Sequence, residues 1–378
     1  MNALALRAIA RADAPARARP DTLERQLRRF RAEVQPRVRA LAARHPRLAD
    51  LAASFPALLF ALAMPRGRFR PEPVIVDVIG GAGLRSLADR ADIAPWMRRL
   101  EPEMLQRPLP VLPGNDEFAR RIVNHFPRHA KFVADWLDAV AFAARWGHED
   151  FAIWYARYFP TKRKPKPRLP LLCLWAWFSS QPDTRAHSFL QKPWTPNIEF
   201  KAGRGAAGNW EISLDLFAHL GDRIIADPWL KPGMVGGYEF FPLLSAVDVL
   251  EEARAMKNCL RTYGPDLAHD FSRLWSVRKD GVRVATLQVA FPPGYPILGI
   301  RELKAAGNVD APPEVWWAAE GWLRQQDPVL RLNKEINWGS VPLDRKTWFE
   351  LWKPYWLAKK TLPNWLPLSP SRDALYAL

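Results

Sequence analysis

The stretch "RLWSVRKDGVRVATLQVAF", Arg273 to Phe291, constrains the fold more than any other part of the chain. Two runs rich in β-branched and apolar residues flank Asp280-Gly281, a pair that tolerates the left-handed conformations of a two-residue hairpin turn. The spacing predicts two antiparallel strands, and "YPILGIRELK" predicts a third after them. Pro312 and Pro313 then open a helix through "EVWWAAEGWLRQQ". A helix is also predicted before the hairpin, from Ser245 to Tyr263. Ser245 or Asp248 would cap it, with Asp248 and Glu251 as a box-like pair, and Gly264-Pro265 would stop it. Helix, three-stranded meander and helix make a small α+β module.

The earlier part of the chain has the periodicity of helices. "DTLERQLRRFRAEVQPRVRALAARHP" puts Leu23, Leu27, Phe30 and Val34 on one face, spreads arginines over the rest, and offers Asp21 as an N-cap. Helical spacing continues from Asp116 to Phe159, punctuated by Pro127 and Gly147. The uncharged, apolar run Leu51 to Met64 falls short of the roughly 20 apolar residues that span a bilayer. It reads as core helix, and membrane insertion is not expected. A chain of 378 residues is expected to hold more than one domain. The boundaries predicted are a helical N-terminal region over 1–160, a basic, proline-rich linker and connecting segment over 161–196, the α+β domain over 197–336, and a tryptophan-rich tail over 337–378. The fold class is therefore α+β: a largely helical N-terminal region, then a small α+β domain whose antiparallel meander is flanked by helices. In the tail, Trp348, Trp352 and Trp356 recur every four residues among Lys346, Lys353, Lys359 and Lys360, with Pro354 interrupting. Such a stripe is either an aromatic strap packed on the body or a surface for bases or a protein partner.

Two glycine motifs bear on cofactors. "GRGAAG", Gly203 to Gly208, matches a dinucleotide-binding pattern, but the following "NWEISLDL" alternates like a strand. A hairpin loop is predicted there. "PVIVDVIGGAGLRSLADRAD" has no second parallel strand after it, so it predicts two helices joined by a glycine turn. No nucleotide cofactor is expected. No C-x-x-C or H-x₃-H pairing points to a metal.

Charge points toward polyanions. The formal net charge is +16, which favours nucleic acid or anionic surfaces without fixing specificity. Lys162, Arg163, Lys164, Lys166 and Arg168 form a basic run that is either a solvated connector or an arm contacting phosphates. Cys173 and Cys259 are the only cysteines, and the N-terminus lacks the apolar run of a signal peptide. Both features fit a cytoplasmic setting.

Cys259 carries the sharpest question about activity. Near the C-terminal end of its predicted helix, the dipole opposes a thiolate, and the residues sharing its face are mostly core material. That favours a buried, inert cysteine. The competing reading is a nucleophile with His269 as base and Tyr263 or Asn308 as orienting or oxyanion groups. Thr286 and Gln288 share one strand face, and a paired third strand would align Glu302 and Lys304 beside them. Such a cluster is either a ligand site or a buried polar network that fixes strand register.

"MKNCLRTYGPD", "LWSVRKDGVRVATLQVAF" and "ILGIRELKAAGNVDAPPE" together resemble the core of the PcfJ-like family, named after a protein of a conjugative plasmid and found widely in bacteria. Met256, Cys259 and Tyr263 stand at that family's spacing. A strand pair with Thr286 follows, then a strand ending near Gly307 and Asn308. The resemblance spans about residues 240 to 326. It implies a bacterial protein associated with mobile elements, of unsettled activity, and gathers Cys259, Tyr263, Thr286, Glu302, Lys304 and Asn308 on one module. With the charge, it leads to the expectation of a non-enzymatic accessory protein that binds nucleic acid or a nucleoprotein complex. A thiol-dependent enzyme, or a scaffold docking a protein partner through the tryptophan tail, are the alternatives.

Overall fold

The computed structural model describes residues 20–159, 169–292, 296–327 and 345–360. The five cationic candidates Lys162, Arg163, Lys164, Lys166 and Arg168 lie outside the described residues. The described residues fall into two compact units. One holds residues up to Trp177 together with Thr195–Phe200; the other holds Phe178–Trp194 and residues from Lys201 onward. As the sequence predicts, the architecture is α+β, with helices first and one antiparallel sheet later.

The first unit is built from α1 (Pro20–Arg28), α2 (Gln35–Ala42), α3 (Pro46–Ser54), α4 (Pro56–Ala63), α5 (Glu72–Gly80), α6 (Leu84–Arg90), α7 (Asp116–Ile122), α8 (Val133–Trp146) and α9 (Glu149–Arg157). Helix α10 (Leu169–Ser179) begins here and ends in the second unit. Proline in the first turn starts α2, α3, α4 and α5, where its missing N–H leaves no intrahelical bond unmade. The uncharged run is cut by Pro56 into α3 and α4, and Ala57 through Phe60 are fully buried. The predicted first helix is also cut, after Arg28. Its apolar stripe nevertheless continues across the gap, with Leu27, Phe30 and Val34 buried. Gln35 bridges the break by donating to the Arg28 carbonyl at 3.1 Å and the Phe30 carbonyl at 2.7 Å. The predicted glycine turn joins α5 to α6. Gly81 takes φ 87° there, and a Cβ on it would overlap the Arg47 guanidinium, which donates to the Ile79 carbonyl at 2.6 Å. Among the described residues, no helix is long and apolar enough to cross a membrane.

The second unit opens with the short α11 (Arg185–Ser188) and the long α12 (Phe200–Leu220). The hairpin predicted around "GRGAAG" is therefore wrong: Gly203 to Gly208 lie inside α12. Buried Gly203, Ala207, Trp210, Leu214 and Phe217 recur every three or four residues, and this longer period overrides the alternation of "NWEISLDL". The glycines are not at a strand-to-helix junction, so they form no phosphate-binding turn.

The sheet runs β1 (Gly233–Val235), β2 (Tyr238–Pro242), β3 (Ser272–Lys279), β4 (Val282–Ala290), β5 (Gly299–Lys304), in that spatial order and antiparallel throughout. The three predicted strands are β3 to β5, and the β3–β4 turn has Asp280 at φ 51° and Gly281 at φ 75°. Two strands were not predicted. β1 and β2 turn through Gly236-Gly237, and are too short to alternate legibly, with Pro242 inside the second. One face of the sheet packs on α15 (Pro313–Arg324), where the Trp322 ring stacks on Phe240 at 4.5 Å and meets Trp275 edge-on at 4.8 Å.

The predicted helix from Ser245 to Tyr263 is a shorter helix followed by two turns. α13 spans Ala246–Ala255. Its capping box pairs Ser245 with Asp248, at 3.1 and 2.9 Å, rather than Asp248 with Glu251. Lys257 then adopts φ 49°, which ends helical pairing. A 3₁₀ turn over Leu260–Tyr263 leads into α14 (Gly264–Ala268). Gly264-Pro265 thus starts a helix instead of stopping one. Proline fits a first turn, and Gly264 is needed because a Cβ would lie 3.0 Å from the Leu216 Cα. The tail helix α16 (Arg345–Lys359) accommodates Pro354 and buries Trp348, Trp352 and Tyr355. Trp352 and Tyr355 lie against Phe178, so this stripe is a strap on its own unit.

Candidate functional site

The break after Ala255 changes the setting of Cys259. Its thiol is not packed inside a helix, as the longer helix would have required; Cys259 is exposed, whereas Cys173 is fully buried. Cys259 stands at the mouth of a recess on the sheet face opposite α15's core cluster. Asn258, Tyr263, Thr286, Gln288, Glu302, Lys304 and Asn308 share its lining.

Strand register assembles the base of this recess. β5 pairs with β4 so that Glu302 lies opposite Gln288 and Lys304 opposite Thr286. Beneath them, the Thr286 hydroxyl donates to Glu252 Oε1 at 3.1 Å and accepts from Asn258 Nδ2 at 3.2 Å. Arg283 Nε donates to the second oxygen of Glu252 at 2.8 Å. Glu252 is completely buried on α13, so its charge is tolerable only because Arg283 and Thr286 both serve it. Asn258 reaches Thr286 because the left-handed Lys257 turns the chain back toward the sheet.

The rim is held by two facing turns. The Gly307 N–H donates to the Met256 carbonyl at 2.7 Å, tying the turn after β5 to the turn after α13. That contact brings Asn308, itself at φ 62°, within 3.9 Å of Cys259 Sγ. The Tyr263 hydroxyl donates to Glu302 Oε2 at 3.2 Å. Burial first, and the adjacent Glu302 carboxylate second, push the Tyr263 phenol above its ordinary value, so it stays protonated and serves as a donor. Lys304 turns outward to Asp310 at 2.6 Å, and this bond raises the lysine and lowers the aspartate.

Six sequence candidates therefore converge: Cys259, Tyr263, Thr286, Glu302, Lys304 and Asn308. His269 does not join them. It stacks on Phe271 at 5.1 Å and is not part of the recess lining. Among the described residues, no group of three or more His, Cys, Asp or Glu side chains is placed to hold a metal ion. The recess has a volume of about 20 Å³, room for one water molecule. Ligand pockets begin at roughly 300 Å³. The cluster thus has the dimensions of a polar network that locks β4, β5 and two turns together. Glu252, Asn258 and Arg283 were missing from the sequence candidates for this cluster. A glutamate inside the buried stripe Val249, Leu250, Ala253 was the available signal for a buried partner.

Cations concentrate elsewhere. Residues 1–196 hold 33 lysines and arginines against 18 aspartates and glutamates, while residues 197–336 hold 16 against 18. Many arginines of the first unit are already paired: Arg29 with Glu101 and Glu103 at 3.0 and 2.7 Å, and Arg44 with Glu72 at 3.0 Å. The turn that follows α4 differs. Phe69 N–H closes it on the Arg66 carbonyl at 3.1 Å, and Gly67 supplies φ 58°. Arg66, Arg68 and Arg70 project from it exposed, with no ion pair among the described residues. No family model matches the chain, and neither a curated protein nor a solved structure matches it.

Proposed function

We propose that this chain binds nucleic acid through its cationic, helical part, as an accessory protein of a bacterial mobile element. The observation that carries this reading is the uneven charge: the basic excess lies in residues 1–196, with an exposed Arg66–Arg68–Arg70 cluster that makes no direct ion pair among the described residues. Arginines already held in ion pairs offer little to a phosphate. Unpaired, solvent-facing guanidiniums can displace condensed counterions, which is the dominant source of sequence-independent affinity. The resemblance to the PcfJ-like family supports the mobile-element setting. The near-neutral module with the Cys259 recess adds little long-range attraction.

Fluorescence anisotropy with a labelled single-stranded oligonucleotide tests this reading. Log affinity should fall linearly with log salt, by about 0.7 per phosphate contact. No binding at about 50 mM salt, or binding insensitive to salt, contradicts it.

The exposure of Cys259 supports a second reading, thiol chemistry at the recess rim. With no imidazole in the lining and room for one water, the substrate would have to lie on the surface. Alkylation of the folded protein decides. Cys259 should react and Cys173 should not until unfolding. A Cys259 rate that levels off well below pH 8.5, the ordinary thiol midpoint, is expected of a working thiolate. A rate still rising through that pH ends the second reading.

A further inference from the structure

We infer that a cavity beside the Arg66–Arg70 turn receives one unstacked base of a single-stranded nucleic acid, an inference that rests on the nucleic-acid reading and specifies its ligand. The cavity measures about 340 Å³, at the lower end of small-molecule pockets. It lies wholly within the first unit. Its floor is apolar and buried: Ala61 from α4, Ala91 and Ile93 from the turn after α6, and Leu109 from the segment beyond. The backbone fixes these walls. Asp92 sits at φ 53°, and Ile93 N–H donates to the Ala88 carbonyl at 2.9 Å, closing the end of α6.

The remaining lining determines what fits. Half-buried Phe69 supplies an aromatic wall, Arg66 and Arg68 supply guanidiniums, and Asp92 supplies a carboxylate. A free inorganic anion would leave the apolar floor unfilled. A fatty carboxylate would cover the floor and pair with the guanidiniums, but it offers no flat face to stack on Phe69 and no donor to Asp92. A nucleotide unit uses every group. Its base covers the floor and Phe69, its flanking phosphates meet Arg66 and Arg68, and Asp92 accepts from an exocyclic amino group. Arg70, on the same turn but outside the cavity lining, extends the cationic track along which a strand would run. A duplex can offer a base only by unstacking it, which costs a few kcal/mol, so the site discriminates in favour of single strands.

The test compares a mixed-sequence single-stranded 15-mer with its duplex, both fluorescently labelled, on the full chain. Three proteins are measured: wild type, Phe69→Leu, and Val111→Trp. Val111 lines the cavity yet is 63% exposed, so an indole there narrows the mouth without entering the core. Phe69→Leu keeps apolar volume and removes the aromatic face; circular dichroism melts confirm that each variant is folded. Wild type should prefer the single strand, and each variant should lose about tenfold of single-strand affinity, as expected for one stacked base. Duplex affinity should not change. Equal wild-type affinity for the two forms, or variants that bind the single strand as wild type does, overturns the base site while leaving general binding intact. Failure of wild type to bind either form at low salt defeats the parent reading as well. Displacement of the oligonucleotide by decanoate but not by nucleoside monophosphates assigns the cavity to an aliphatic acid and also overturns the inference.

Discussion

Glu252→Ala is expected to destabilise the second unit by about 3 kcal/mol, the largest stability effect of any single change in the recess. The carboxylate is completely buried and serves two donors, Thr286 at 3.1 Å and Arg283 at 2.8 Å. Its removal leaves the buried Thr286 hydroxyl without its acceptor, although Thr286 still accepts from Asn258. The Arg283 side chain is 33% exposed and can turn partly toward water, which places the cost at the lower end of the range for breaking a buried pair. Tyr263→Phe makes a useful contrast. It removes one hydrogen bond to the exposed Glu302, worth about 1 kcal/mol or less. Urea unfolding of the full chain, followed by tryptophan fluorescence, measures both. A cost for Glu252→Ala no greater than that for Tyr263→Phe contradicts the view of the recess as a structural network.

The recess was partly legible in the sequence. A two-residue turn at Asp280-Gly281 fixes the register of β3 on β4, and alternation then places Thr286 and Gln288 on one face. Glu302 and Lys304 follow from the pairing of β5, and the structure aligns them with Gln288 and Thr286. The inward turn of Asn258 was not legible. It depends on Lys257 at φ 49°, a conformation that lysine does not favour and that no local pattern signals. The exposure of Cys259 depends on the same residue, since continued helix would have set the thiol among core side chains.

Two other segments show where local pattern underdetermines structure. Asn209 to Leu216 fits both an alternating strand and one stretch of a longer helical stripe. Burial of Gly203 and Ala207 upstream and Phe217 downstream selects the helix, and only the wider window contains that information. Gly264-Pro265 is equally suited to ending one helix or starting another. The choice follows from the close approach of Gly264 to Leu216, a contact 48 residues away in the chain. The charge asymmetry, in contrast, can be counted from the sequence. Its location in exposed arginines without a direct ion pair required the fold, because the sequence does not show that Arg29 and Arg44 are already held by carboxylates.

Replacing Arg66, Arg68 and Arg70 together by glutamine is expected to weaken single-strand binding on the order of 100-fold at about 0.1 M salt. Each lost phosphate contact removes one released counterion, worth roughly fivefold at that ionic strength. Stability should barely change, because the three side chains are exposed and make no ion pair among the described residues. The same substitution tests whether the unpaired turn, rather than diffuse net charge, provides the contacts. Lowering the net charge by the same amount at Arg29, Arg39 and Arg44, which are held by Glu101, Glu103, Glu24 and Glu72, should affect binding much less.

The most direct measurement is the slope of log affinity against log salt for wild type and for the Arg66→Gln, Arg68→Gln, Arg70→Gln variant, taken with one single-stranded oligonucleotide. The account predicts a variant slope shallower by about 2, from three contacts at roughly 0.7 each. Parallel lines with equal affinities would show that these arginines touch no phosphate and would contradict it.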